Sequence, residues 1–372
     1  MNKKIYIITF HRSCSHGALL QCYASQSFFK SLGYDAVILD YRNKAIEEEY
    51  RIIKKIDFSR GFIILAKSWA FQLLNLPFYI FKKSGFASFR RKYLSLSSKK
   101  IVDSSEISLF KDSDAFFAGS DQIWNGDITG GLDDIYFLNF PTNALKASLA
   151  ASIGKDSLTA EETIKINDLV SRIDLVTVRE EKTKKLIINL DKPVNVICDP
   201  VFLPEKDHWI NMIKKRKYKG NRFILIYALS YDIDISKMAK ELSKEKGLKV
   251  ISIARNYCSN DGVGKKVYAN HPDDLLFYIF HSDIVLTNSF HGVALSIVLR
   301  KDFIAFSPIK RSIRITELLE KCGLETRLYS ESNDVHKFVQ DLRVNYSLVD
   351  DKINRFADFG RKVIIDSLEK IK

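Results

Sequence analysis

The chain has 372 residues, 46% of them hydrophobic and 28% charged, and 58 Lys and Arg against 45 Asp and Glu give a formal charge of +13. That length exceeds one ordinary core and predicts two domains, while the composition is that of a globular protein and excludes collagen-like and low-complexity classes. Five scattered cysteines, odd in number and without paired metal spacing, point to free thiols used for packing in a reducing cytosol.

In chain order, Ile5–Thr9 reads as a first buried strand, too short to be the apolar core of a signal peptide. Residues Gly17–Leu32 form a helical pattern that stops at Gly33, followed by a strand over Ala36–Leu39. The most apolar stretch, Gly61 to Phe81, has the length of a membrane span but contains Lys67, Gln72, Asn75 and Pro77, which argue against one. It is rimmed by Lys54, Lys55, Arg60, Lys82, Lys83, Arg90, Arg91, Lys92, Lys99 and Lys100. An interfacial helix or hairpin held to anionic lipid by residues 54–100 fits this pattern, and an amphipathic helix buried on the protein itself is the alternative.

Beyond it, Asp114–Ala118 is a strand that empties into Gly119-Ser120-Asp121-Gln122-Ile123-Trp124-Asn125. Strands follow at Ala147–Ile153, Leu175–Val178 and Val194–Cys198, the last two running into Arg179-Glu180 and Asp199-Pro200. The basic stretch Lys214–Lys219 reads as a linker. The rhythm then restarts: strand Phe223–Ala228, helix Ile235–Lys246, strand Lys249–Ile253, helix Pro272–His281, strand Ile284–Thr287, helix Val293–Leu299 and strand Phe303–Phe306. Strands separated by helices imply parallel sheets, and two such runs imply an α/β protein with two Rossmann-like domains facing a cleft. The expected boundaries are 1–213 with a basic aromatic insertion at 44–100, then 221–346, then a terminal helix within 347–372 that crosses back to brace the first domain.

Functional groups in such domains collect at the carboxyl ends of strands. His291 follows the strand Ile284–Thr287 at a helix N-terminus, where it either caps the turn or binds anions and moves protons near neutral pH. Arg311 and Arg314 open the next helix, either as an anion clamp or as a solvated basic face. No phosphate-binding Gly-rich loop, His-Glu-x-x-His motif or nucleic-acid module occurs, which argues against nucleoside triphosphate, dinucleotide, metal and nucleic-acid partners.

Taken together these motifs resemble the polysaccharide pyruvyl transferase family. The resemblance rests on Gly17–Ala24 with Leu32-Gly33-Tyr34, on Gly119–Asn125, on Val178-Arg179-Glu180, on Cys198–Leu203, on Ser289-Phe290-His291-Gly292, and on Arg314-Ile315 with Leu318-Leu319. It implies a fold like the B-type glycosyltransferases and transfer of pyruvate from phosphoenolpyruvate, as co-substrate with no further cofactor, onto a sugar as a ketal. The second domain would be the donor side, with Arg179, His291, Ser289, Phe290, Arg314 and Arg311 binding the donor and His291 as the acid/base or phosphate contact. The family's second donor arginine is absent, because Ser289 stands in its place. The first domain would be the acceptor side, with Asp121, Ser120, Trp124 and His16 meeting the sugar; Asp121 alternatively caps a helix. The acceptor implied is a lipid-linked oligosaccharide, which places the expected site of action in the cytoplasm at the inner face of the membrane. A nucleotide-sugar glycosyltransferase and a non-catalytic carbohydrate-binding protein remain as alternatives on the same fold.

Overall fold

The computed structural model describes residues 3–55, 61–188, 190–259, 263–307, 312–329, 340 and 342–369. The chain divides into two compact units, one comprising Met1–Glu47, Arg90–Glu205 and Asp350–Lys372, the other Glu48–Phe89 and Lys206–Val349. The sequence reading placed the whole insertion 44–100 in the first domain; most of it, Glu48–Phe89, groups instead with the second unit.

In unit 1, strand β1 (Lys4–Ile8) leads through a loop to helix α1 (His16–Ser31), then β2 (Asp35–Tyr41) and the short α2 (Lys44–Glu49). Helix α3 (Phe62–Tyr93), which groups with unit 2 up to Phe89, returns the chain to β3 (Leu96–Ile101), and β4 (Ala115–Ala118) and β5 (Leu145–Ser148) follow. Among the described residues these strands form a five-stranded parallel sheet in the order β3-β2-β1-β4-β5. Ile5, Ile7, Ile8, Phe116 and Phe117 are buried almost completely, as expected of central strands covered on both faces. A two-stranded parallel pair, β6 (Val176–Val178) with β7 (Val194–Val196), continues this layer through isolated bridges from Ala147 to Leu175 and from Ala151 to Val178.

Unit 2 repeats the plan. Strands β8 (Phe223–Tyr227), β9 (Lys249–Ile253), β10 (Lys265–Val267), β11 (Ile284–Thr287), β12 (Asp302–Phe306) and β13 (Leu328–Tyr329) are ordered β10-β9-β8-β11-β12-β13, all parallel. Its core gathers Ile224, Ile226, Leu286 and Ile304 from the sheet with Ile235, Met238, Ala239 and Leu242 from the helix Ile233–Lys246. In both sheets the strand order reverses beside the first strand, between β1 and β4 and between β8 and β11. The loops leaving those strands form the crevice where open α/β sheets bind ligands.

The segment 62–93 is one helix rather than a hairpin, and among the described residues it is the one long and apolar enough to cross a membrane by length and composition. One side is built for protein contact. Asn75 is fully buried and accepts a hydrogen bond from the Cys258 amide at 3.2 Å, and Phe78 meets the rings of Tyr257 and Tyr268 edge-on. Gly85 lies so close to the Asn270 carbonyl that no side chain would fit. Ile63, Ile64, Trp69, Phe71, Leu73, Leu74, Ile80 and Phe81 remain exposed. Within the 54–100 segment expected to meet lipid, Phe78 and Arg90 are buried, Tyr79 is half-buried, and Arg60 lies outside the described residues. Cys258 is exposed, unlike the other four cysteines, which are buried as packing residues.

The terminal helix Tyr346–Leu368 belongs to unit 1 from Asp350 onward. Gly360 passes the Cys198 sulfur closely, and Arg361 donates to the carbonyls of Leu203 and Phe202 at 3.0 and 3.2 Å.

Candidate functional site

In unit 1 the motif residues converge on the reversal between β1 and β4. Gly119 follows β4 directly, and a Cβ there would come within 2.7 Å of Thr9 Cβ on the loop after β1. Thr9 Oγ1 donates to the Ser120 carbonyl at 3.1 Å and accepts from Gln21 Nε2 at 2.8 Å, tying together β1, α1 and β4. Asp121 adopts a left-handed backbone with φ of 76°, uncommon for a residue with a side chain, and its carboxylate stays partly open to solvent. It accepts from the Gln122 amide at 3.0 Å but does not cap a helix; Asn125 does, accepting from Asp127.

Ser120 and Trp124 have no exposed surface. Ser120 Oγ donates to Asp199 at 2.9 Å. Trp124 stacks on Phe137 with centroids 5.2 Å apart and donates its indole N–H to the Tyr136 carbonyl at 3.1 Å. Both were expected to meet the sugar; they hold the loop instead, since a buried ring whose polar atom is already bonded is a core element. His16 is buried as the first residue of α1.

Arg179, after β6, is the hub of this loop cluster. Its side chain is about 2% exposed and lies 2.8 Å from Glu180, 3.1 Å from Asp199 and 3.9 Å from Asp121. Burial disfavours the charged guanidinium, but the carboxylates of Glu180, Asp199 and Asp121 outweigh it and hold Arg179 firmly protonated. Its Nε donates to Glu180 and its Nη1 to Asp199. The geometry therefore makes Arg179 a positioning residue for Asp121 and for the turn at Asp199, which caps Pro200–Phe202 by accepting from the Val201 amide at 3.1 Å.

In unit 2 the corresponding reversal lies between β8 and β11. Thr287 Oγ1 donates to the Tyr227 carbonyl at 2.6 Å and accepts from the Ser289 amide at 3.1 Å. Asn288 accepts from the Leu229 amide at 2.8 Å, joining the two loops that leave the paired strands. Ser289 caps helix Phe290–Val298, accepting from the Gly292 amide at 3.3 Å. Any Cβ on Gly292 would run into Thr287 Oγ1, which is the physical demand behind the His-Gly pair. His291 sits in the first turn, 8% exposed, with its ring edge-on to Phe290 at 5.3 Å. A histidine there lies in the positive field of a helix N-terminus. Arg314 is half-buried on the helix Ser312–Cys322, and Arg311 lies outside the described residues.

A cavity of about 750 Å³ lined by Phe110, Lys111, Asp114, Phe116, Leu145 and Asp174 opens in unit 1. It sits at the amino ends of β4 and β5, the wrong end of a parallel sheet for chemistry. Among the described residues no group of three His, Cys, Asp or Glu side chains is placed to hold a metal ion.

His11 and Arg12, in the polar stretch His11–His16 that the sequence marks as a strand end, join Asp40, Arg42 and Arg90 in a cluster at the ends of β1 and β2 that sequence reasoning did not bring together. Asp40 accepts from His11 Nε2 at 3.0 Å and from Arg12 Nε at 2.7 Å, with Arg42 Nε at 3.2 Å. Burial pushes the Asp40 carboxyl up, but the bonds from His11 and Arg12 outweigh it and leave it well below the usual carboxylate range. Burial also lowers the His11 pKa, against the opposing pull of Asp40 and the Thr9 carbonyl. The charge runs in the sequence drew attention to the basic rim of α3, and nothing in them distinguished Arg90 from its exposed neighbours.

The two reversed parallel sheets define a two-unit Rossmann-like α/β protein. UDP-GlcNAc 2-epimerase from Neisseria meningitidis bound to UDP-GlcNAc shares this fold at 10% identity, with a TM-score of 0.50 over 100% of each chain. The putative UDP-N-acetylglucosamine 2-epimerase from Listeria monocytogenes does so at 10% identity and a TM-score of 0.51, over 99% of this chain and 96% of its own. No curated protein matches the chain in sequence. The sequence model described as Polysaccharide pyruvyl transferase matches residues 16–309, through both loop clusters, and the chain belongs to that family.

Proposed function

We propose that the protein transfers pyruvate from phosphoenolpyruvate to two hydroxyls of a sugar in a polysaccharide precursor, forming a ketal. The observation that carries this reading is the family match across 16–309, which includes the Asp121 and His291 motifs. Ketal formation protonates the enol carbon, adds one sugar hydroxyl, expels phosphate and adds the second hydroxyl. His291, at a helix N-terminus and a few per cent exposed, supports the donor role: the ring can bond the phosphate or move protons, and the helix field favours an anion. Arg314 adds charge on the donor side, Arg179 positions, and Asp121 orients the acceptor hydroxyl.

The test is incubation of candidate oligosaccharides with enzyme and phosphoenolpyruvate, followed by mass spectrometry for the ketal increment. His291→Ala should lower turnover about 10²–10⁴-fold while the fold is kept. Binding of a nucleotide sugar without phosphoenolpyruvate turnover would favour the glycosyltransferase reading, which the likeness to UDP-sugar epimerases keeps in view.

The acceptor we favour is lipid-linked, met at the inner face of a membrane. The exposed apolar face of α3 beside Lys83, Arg91 and Lys92 supports it, since such a face with basic residues suits an anionic lipid surface. Anionic liposomes should sediment the protein at low salt and release it at 1 M, where the Debye length is about 3 Å. Protein that ignores them at low salt rules the contact out.

A further inference from the structure

The cluster at the ends of β1 and β2 carries more positive charge than it can use internally. Arg42 donates to Glu47 at 2.5 Å as well as facing Asp40, so three guanidiniums, Arg12, Arg42 and Arg90, meet two carboxylates. Arg90 is the odd member. It is 7% exposed, and its Nη1 has no hydrogen-bond partner among the described residues. Burial and the neighbouring Arg12 and Arg42 charges lower its pKa, with Cys14 and Asp40 in the same electrostatic neighbourhood. A buried guanidinium with an unmade hydrogen bond beside two like charges is destabilising unless an anion offsets it.

The surroundings suit such an anion. Arg12 and Arg42 keep about a fifth of their side chains exposed, 19% and 22%, leaving a way in from solvent. Arg12 lies three residues before Ser15, the N-cap of the 16-residue helix α1, and Ser15 makes no side-chain cap, so the backbone N–H groups and positive field of a helix start follow Arg12 closely in the chain. Guanidinium forks combined with a helix N-terminus match the several oxygens of a phosphoryl group better than a single carboxylate.

We propose that Arg12, Arg42 and Arg90, with the N-terminus of α1, form an anion site in unit 1 that takes a phosphate ester carried by the sugar acceptor. The assignment to the acceptor rests on the pyruvyl-transfer reading; the site itself does not. Within unit 1 the cluster lies at the ends of β1 and β2, whereas Arg179 follows β6.

Calorimetric titration of the full chain with pyrophosphate, a sugar 1-diphosphate, inorganic phosphate and phosphoenolpyruvate tests this. Pyrophosphate and the sugar diphosphate should bind, with affinity falling steeply as salt rises, and Arg90→Met should weaken both at least tenfold. Arg12→Gln, at a partly exposed position, should do the same and serves if Arg90→Met does not fold. Phosphoenolpyruvate should not compete. Absence of pyrophosphate binding, or unchanged affinity in both variants, overturns the site. Competition by phosphoenolpyruvate assigns the site to the donor, and tighter binding of inorganic phosphate than of the sugar diphosphate assigns it to the released product; either overturns the acceptor assignment. Ketal formation is a separate readout, so failure of pyruvyl transfer leaves the titration result standing.

Discussion

Arg179 and Arg90 are both buried arginines of unit 1, and they meet opposite electrostatic surroundings. Arg179 is ringed by Glu180, Asp199 and Asp121, and its ion pairs tie three loops together. Arg90 has Arg12 and Arg42 for neighbours, and Asp40 is already shared by His11, Arg12 and Arg42. A motif position does not by itself make an arginine a ligand-binding group; the count of carboxylates around it decides. Arg179 has three carboxylates within 3.9 Å, and Arg90 has no ion pair among the described residues.

The sharpest way to break this contrast is Arg179→Met. It leaves Glu180 and Asp199 buried without their cation, and a loss of about 3–5 kcal/mol is expected, read as a lower urea midpoint. A variant as stable as the wild type would show that the carboxylates need no partner and that Arg179 is available to ligand.

Acid titration probes the other cluster at a smaller scale. The folded pKa of Asp40 lies below its unfolded value near 3.9, so its contribution to stability is complete above about pH 4 and is lost as pH falls toward the folded pKa. Between pH 4 and pH 3 this one group should remove on the order of 1 kcal/mol. Asp40→Asn should show a correspondingly shallower slope in urea unfolding over that range; equal slopes would mean that Asp40 is not held as described.

The smallest stability effect belongs to Arg90→Met. Without a carboxylate to orphan, the change should alter unfolding stability by no more than about 1 kcal/mol, and a gain is the favoured direction because an unpaired buried charge is removed. A loss comparable to that of Arg179→Met would reveal a bonding partner for Arg90 and erase the contrast between the two arginines.

Much of this molecule was legible without coordinates. Strands Lys249–Ile253 and Ile284–Thr287 and helix Pro272–His281 fall where apolar periodicity and the Pro at a helix start place them, because buried parallel strands and their covering helices need long apolar patterns. The loop residues at Gly119–Asp121 and Ser289–Gly292 were equally visible, since abrupt small polar residues after a strand mark the binding end of a sheet. Short polar strands were not: β3 contains Ser97, Ser98, Lys99 and Lys100 and earns its place only by pairing with β2. Nor could side-chain roles be read locally. Trp124 reads like a sugar platform until Phe137 is found stacked on it, and Arg90 reads like its exposed neighbours Arg91 and Lys92 until the helix turns it inward. Sequence alone determined most of the long apolar strands and helices and which loops lie at the binding ends of the sheets, because periodicity and turn chemistry are local. Which arginine has its charge neutralised and which does not was decided only by tertiary structure, because that balance depends on carboxylates brought in from residues 40, 121 and 199, far apart in the chain.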